Sequence, residues 1–98
     1  MIIPAQINTI RTFPVFSDPG HAWAAVPCAY LRMLGIADKV SHYSYVSASK
    51  KTAYLEEDSD LNLFVNTWRA KYGANPLLRE RSHSNRSSSI RRLESYGA

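Results

Sequence analysis

The chain is 98 residues long, enough for one small domain and too short for two with separate cores. With 45% hydrophobic and 20% charged residues it is not a disordered polyelectrolyte, and its single cysteine, Cys28, excludes an intrachain disulfide. The net charge of +4 is uneven: residues 1–76 carry +1 and residues 77–98 carry +3, where every positive charge is an arginine. No Cys/His spacing suits zinc, and no basic segment leads into an apolar run at the N-terminus. The longest apolar stretch, 22–31, is interrupted by Pro27 and is too short to span a bilayer. We therefore expect a single domain over 1–98 in a reducing, cytoplasmic setting, with no cofactor and no membrane partner.

Residues 1–11 read as an irregular lead-in, with Pro4 blocking a regular start. Residues 11–16 are rich in β-formers, and Pro14 points to an edge strand or a bulge. Asp18-Pro19-Gly20 is a turn in which Pro19 presets φ and Gly20 accepts a positive φ, and residues 21–26 return as a second strand. Phe16 and Trp23 anchor the two arms. Pro27 suits the first position of a short helix that Gly35 closes, with Tyr30, Leu31 and Leu34 as its inner stripe.

Residues 42–47 alternate, with Tyr43 and Tyr45 on one face, and pair across the polar turn 48–51 with a strand over 52–56. The strongest helix covers 60–72, capped by Asp58 or Ser59 and stopped by Gly73. Leu61, Phe64, Val65, Trp68 and Tyr72 form its apolar face. Asn75-Pro76 breaks the chain before a fifth, edge strand at 77–82. Residues 82–98 follow as a basic tail, flexible or peripherally docked, in which Ile90, Leu93 and Tyr96 recur at a spacing that suits a docking turn. The fold class is α+β: a small antiparallel sheet of four to five strands, two helices on one face and a basic C-terminal tail.

His21 beside Asp18 and Ser17 is the nearest approach to a catalytic set, a general base oriented by a carboxylate with Ser17 or Cys28 as nucleophile. A turn in which Asp18 bonds its own backbone explains the same residues without chemistry. No nucleophile-elbow pattern surrounds them, so no catalytic residue is assigned. Cys28 reads as a small buried hydrophobe. Glu56, Glu57, Asp58 and Asp60 lack the central glycine and distal glutamate of a calcium loop, and helix capping with macrodipole complementarity accounts for each charge. They form an acidic docking patch without a metal.

Arg79, Arg81, Arg86, Arg91 and Arg92, interspersed with five serines, His83 and Asn85, suit contact with phosphates. No recognised RNA- or DNA-binding motif accompanies them. Tyr43 and Tyr45 either pack inward or form an interface patch. These five arginines and two tyrosines are the expected macromolecule-binding surface.

The order of Ser17-Asp18-Pro19-Gly20-His21-Ala22-Trp23, Ser44-Tyr45, Tyr54-Leu55-Glu56-Glu57-Asp58 and Asn85-Arg86 through Ile90-Arg91 to Leu93-Glu94-Ser95-Tyr96 resembles small proteins of bacteriophages and other mobile elements. The resemblance spans most of 12–96, with Ala22 where a glycine would be looked for, and it carries no activity or site residues. It implies a context, in which small proteins bind host machinery. The reading is a non-enzymatic accessory protein that binds a macromolecular partner, a host or phage protein or nucleoprotein complex, of the anti-CRISPR or anti-restriction kind. Two alternatives stand beside it: a direct nucleic-acid binder using the arginine-rich segment, and a small hydrolase using His21. The expected state is a monomer or small homo-oligomer.

Overall fold

The computed structural model describes residues 11–97. The expected lead-in over 1–11 therefore lies, apart from Arg11, outside the described residues. In chain order the elements are β1 (Thr12–Ser17), β2 (Ala22–Pro27), α1 (Cys28–Met33), β3 (Tyr45–Val46), β4 (Thr52–Glu56), α2 (Asp60–Tyr72), β5 (Leu77–His83), a 3₁₀ turn (Ser89–Arg92) and β6 (Glu94–Ser95). The architecture is α+β, but among the described residues the sheet has six strands, in the order β5-β1-β2-β4-β3-β6, rather than four or five. It is also not wholly antiparallel, because β5 runs parallel to β1. That pairing needs a long crossover, and the chain from β2 through α2 supplies it.

The first hairpin forms where the turn residues require it, but not through a left-handed glycine. Positive φ among the described glycines occurs at Gly35, Gly73 and Gly97. At the turn, Asp18 Oδ1 instead accepts the backbone N–H groups of Gly20 at 2.9 Å and His21 at 3.0 Å. At Gly20 the constraint is one of space: a Cβ there would stand 2.8 Å from Arg91 Nη2, so the guanidinium would have to shift. The expected side-chain cap on α2 is likewise absent. Ser59 occupies the N-cap without a side-chain hydrogen bond, while Gly73 closes the helix at φ +79°.

Alternation along the strands divides the sheet into two faces. Phe13, Ala24, Val26, Ala53, Leu55 and Val46 join Leu31 of α1 and Phe64 and Trp68 of α2 in one core. Phe13 sits at its centre, edge-on to Tyr30, Phe64 and Trp68 with ring centroids 5.2–5.4 Å apart. Both helices thus cover one face. The opposite face carries Phe16, Trp23, Tyr54 and Tyr45, linked by the registers Phe16↔Trp23, Trp23↔Glu56 and Tyr45↔Tyr54.

The segment after β5 folds over this helix-free face. Ser84 donates its N–H to the Ser17 carbonyl, Ile90 is buried, and the Arg91 guanidinium lies 5.1 Å from the Trp23 ring centroid. β6 then joins the far edge by pairing with β3. Among the described residues no helix is long and apolar enough to cross a membrane.

Candidate functional site

A cleft of about 200 Å³ opens on the helix-free face between the first hairpin and the loop before β3. His21, Glu56, Trp23 and Arg91 line one part of it, and His42, Tyr43 and Tyr45 the rest. His21 Nδ1 lies 3.3 Å from Glu56 Oε2. A carboxylate only accepts, so this bond sets the proton on Nδ1 and leaves Nε2 free. Glu56 is held in turn by the Asp58 N–H, which reaches both of its oxygens at 3.0 and 3.1 Å.

The four buried polar side chains among the described residues, Asp18, Ser44, Glu56 and Asp60, all serve this cleft. Glu56 orients His21. Asp60 accepts the N–H of Ser41 at 3.0 Å and the hydroxyls of Ser41 and Ser44 at 2.7 and 2.5 Å, which pins both ends of the loop bearing His42 and Tyr43. The same Ser44 oxygen accepts the Glu56 backbone N–H at 2.9 Å, joining the two walls. Asp18 takes Arg91 in a fork, Nε at 2.7 Å and Nη2 at 3.0 Å, and also the Ser88 N–H at 2.8 Å. The Arg91 guanidinium, then the Ser88 N–H, hold the Asp18 carboxyl far below the usual carboxylate range, and Asp18 raises the pKa of Arg91. Burying polar groups is costly unless each is bonded. Each of these four side chains is bonded and fixes a residue of one cleft, whereas Trp23 Nε1 in its wall is buried without a hydrogen-bond partner.

A second opening, a groove of about 580 Å³, lies beside the first on the same face. Phe16 and Tyr54 line it with their rings 6.2 Å apart, and Arg86, Arg92 and the serines of 82–89 face them. Arg79 and Arg81 continue the basic surface along β5 beside Thr12 and Pro14. Among the described residues the ion pairs are His21–Glu56, Lys50–Glu94 and Arg91–Asp18, so Arg79, Arg81, Arg86 and Arg92 have no carboxylate partner.

The expected binding residues therefore separate. Four of the five arginines are exposed on or beside the groove. Arg91 is not a free arginine, because Asp18 neutralises it. Tyr43 is 66% exposed and precedes β3 rather than alternating with Tyr45, which is half-buried against Trp23.

The acidic patch divides in the same way: Glu57 and Asp58 are exposed, but Glu56 and Asp60 are buried and bonded inside the fold and cannot dock a partner. Ligand atoms of His21, Glu56, Glu57 and Asp58 come within 4.8 Å of one another, and the Asp58 N–H reaches both Glu56 oxygens. Cys28 is buried, and burial raises its pKa, which disfavours the thiolate form. Sequence reasoning found His21 but not its companions, since His42, Glu56 and Arg91 are distant in the chain and share no motif. No family model, curated protein or solved structure matches the chain.

Proposed function

We propose that this protein binds a macromolecular partner through its helix-free face, and that the partner is single-stranded nucleic acid. One observation carries the reading: four arginines without carboxylate partners among the described residues, Arg79, Arg81, Arg86 and Arg92, flank an aromatic groove edged by serine hydroxyls. Guanidinium forks and hydroxyls suit a phosphodiester backbone, and the Phe16 and Tyr54 rings suit unpaired bases, which stack on aromatic side chains with little sequence preference. A duplex offers no such free base faces. A cytoplasmic setting and a phage or mobile-element context are part of the same proposal.

Capture of a host nucleoprotein by the outer edge of β5 is a second reading, favoured by one feature. All seven residues of that strand are exposed, and among the described residues it has a neighbour on one side only. An unpaired edge accepts a strand from a partner.

The test is fluorescence anisotropy of a labelled single-stranded oligonucleotide across salt. Four arginine contacts give log K against log[salt] a slope of about −2.8, and each arginine-to-alanine change flattens it by about 0.7. Affinity that ignores salt, or survives the fourfold variant R79A/R81A/R86A/R92A, overturns the reading.

A further inference from the structure

We propose that the cleft between His21 and His42 cleaves RNA by transphosphorylation, an inference that rests on the nucleic-acid reading above. Groove and cleft adjoin: Phe16 of the groove is the register partner of Trp23 of the cleft, and Tyr54 is that of Tyr45. The walls of the two openings thus stand on neighbouring strands, about 5 Å apart.

The side chains of the cleft fit the needs of this reaction. Its nucleophile, the ribose 2′-hydroxyl, belongs to the substrate, so the protein needs a base, an acid and a stabiliser of the phosphate oxygens. His21, with Nδ1–H given to Glu56 at 3.3 Å, has Nε2 free to accept a proton. His42 stands in the same cleft, held by Asp60 through Ser41 and Ser44. The Arg91 nitrogen not taken by Asp18, Nη1, and the hydroxyls of Tyr43 and Tyr45 supply donors to the non-bridging oxygens.

In the step itself, His21 Nε2 takes the 2′-hydroxyl proton and the 2′-oxygen forms a bond to phosphorus. The bond from phosphorus to the 5′-oxygen breaks, its electron pair stays on that oxygen, and the His42 imidazolium protonates it. The products are a 2′,3′-cyclic phosphate and a 5′-hydroxyl, and no oxidant, metal or co-reactant enters the balance. Buried carboxylates hold the His21 and Arg91 side chains directly, while Asp60 fixes the chain on either side of His42, whose exposed ring stacks on Tyr43 with centroids 4.4 Å apart.

The full-length protein is incubated in excess EDTA with a single-stranded RNA oligonucleotide and, separately, with the same sequence as DNA. The expected result is RNA cut to fragments ending in cyclic phosphate, and DNA bound but uncut. His21→Ala and His42→Ala each lower the cleavage rate by about 10²- to 10⁴-fold, with the fold of each variant checked by circular dichroism. His21→Gln and His42→Gln, which preserve side-chain bulk, lose the same activity and guard against misfolding as the cause. RNA that is bound but left intact overturns the cleavage proposal and leaves the binding reading standing, as does cleavage that persists undiminished in both alanine variants. Failure to bind either strand overturns both.

Discussion

Replacing Asp60 tests whether the buried polar network holds the cleft together. Its carboxylate is buried and accepts three hydrogen bonds, from the Ser41 N–H, the Ser41 hydroxyl and the Ser44 hydroxyl. In Asp60→Ala, Ser41 is half-buried and can turn to water, but Ser44 is fully buried and its hydroxyl proton loses its acceptor, which costs about 1–3 kcal/mol. Removing a negative charge from the first turn of α2 adds about 0.3–1 kcal/mol. The sum, about 1–4 kcal/mol, is a large share of the roughly 5–15 kcal/mol that keeps such a domain folded. Urea unfolding followed by tryptophan fluorescence measures it. Ser44→Ala in the same background removes the stranded hydroxyl, so the double variant should be less destabilised than the two single losses combined, by at least about 1 kcal/mol. Strict additivity, or an Asp60→Ala cost under about 0.5 kcal/mol, refutes the network.

Four further outcomes are expected. Phe13→Ala removes the ring on which Tyr30, Phe64 and Trp68 converge, and should cost about 3–5 kcal/mol in the same urea assay. The Asp18–Arg91 latch should resist acid. The ordinary carboxyl value is 3.8 and the folded value is lower, so its stabilisation is fully present above that pH and is lost only as pH falls through the folded value. Trp23, beneath Arg91, reports this by fluorescence, and a latch transition centred near 3.8 contradicts it. Gly20→Ala needs no forbidden φ, but its Cβ displaces Arg91, so the melting temperature should fall and the acid resistance of the latch should go with it. Finally, the chain should remain monomeric at micromolar concentration in analytical ultracentrifugation. Antiparallel pairing of β5 with its own copy, centred on residue 79, 80 or 81, sets an arginine opposite an arginine, and like charges directly opposed are unfavourable; a β5-mediated dimer is the contrary result.

How far the sequence could be read depended on how local each cause was. α2 appeared over the expected residues because period, carboxylates at its start and Gly73 at its end all lie within one segment. Both hairpins appeared for the same reason. The parallel β5 did not, since nothing in Leu77–His83 encodes which strand it joins; the pairing with β1 follows from where α2 ends. The acidic run misled for a related reason. Alternation along β4 turns Glu56 toward Trp23 and His21 while Glu57 stays outside, and Asp60, one turn later, meets serines from 41 and 44. Charges adjacent in sequence thus had opposite fates, and only the tertiary arrangement distinguishes them.

The 3₁₀ turn Ser89–Arg92 explains why two neighbouring arginines do different work. With three residues per turn, successive side chains leave the axis about 120° apart. Ile90, Arg91 and Arg92 therefore point in three directions: Ile90 is buried, Arg91 reaches the cleft and Asp18, and Arg92 lines the groove with no carboxylate partner. Ser88 fixes the phase by accepting the Ile90 N–H through its side chain while its own N–H goes to Asp18. The turn is therefore the partition between the surface proposed to bind and the cleft proposed to react. Inserting one residue before Ile90 would rotate both arginines by about a third of a turn, moving charge away from the groove and leaving Asp18 buried without its cation.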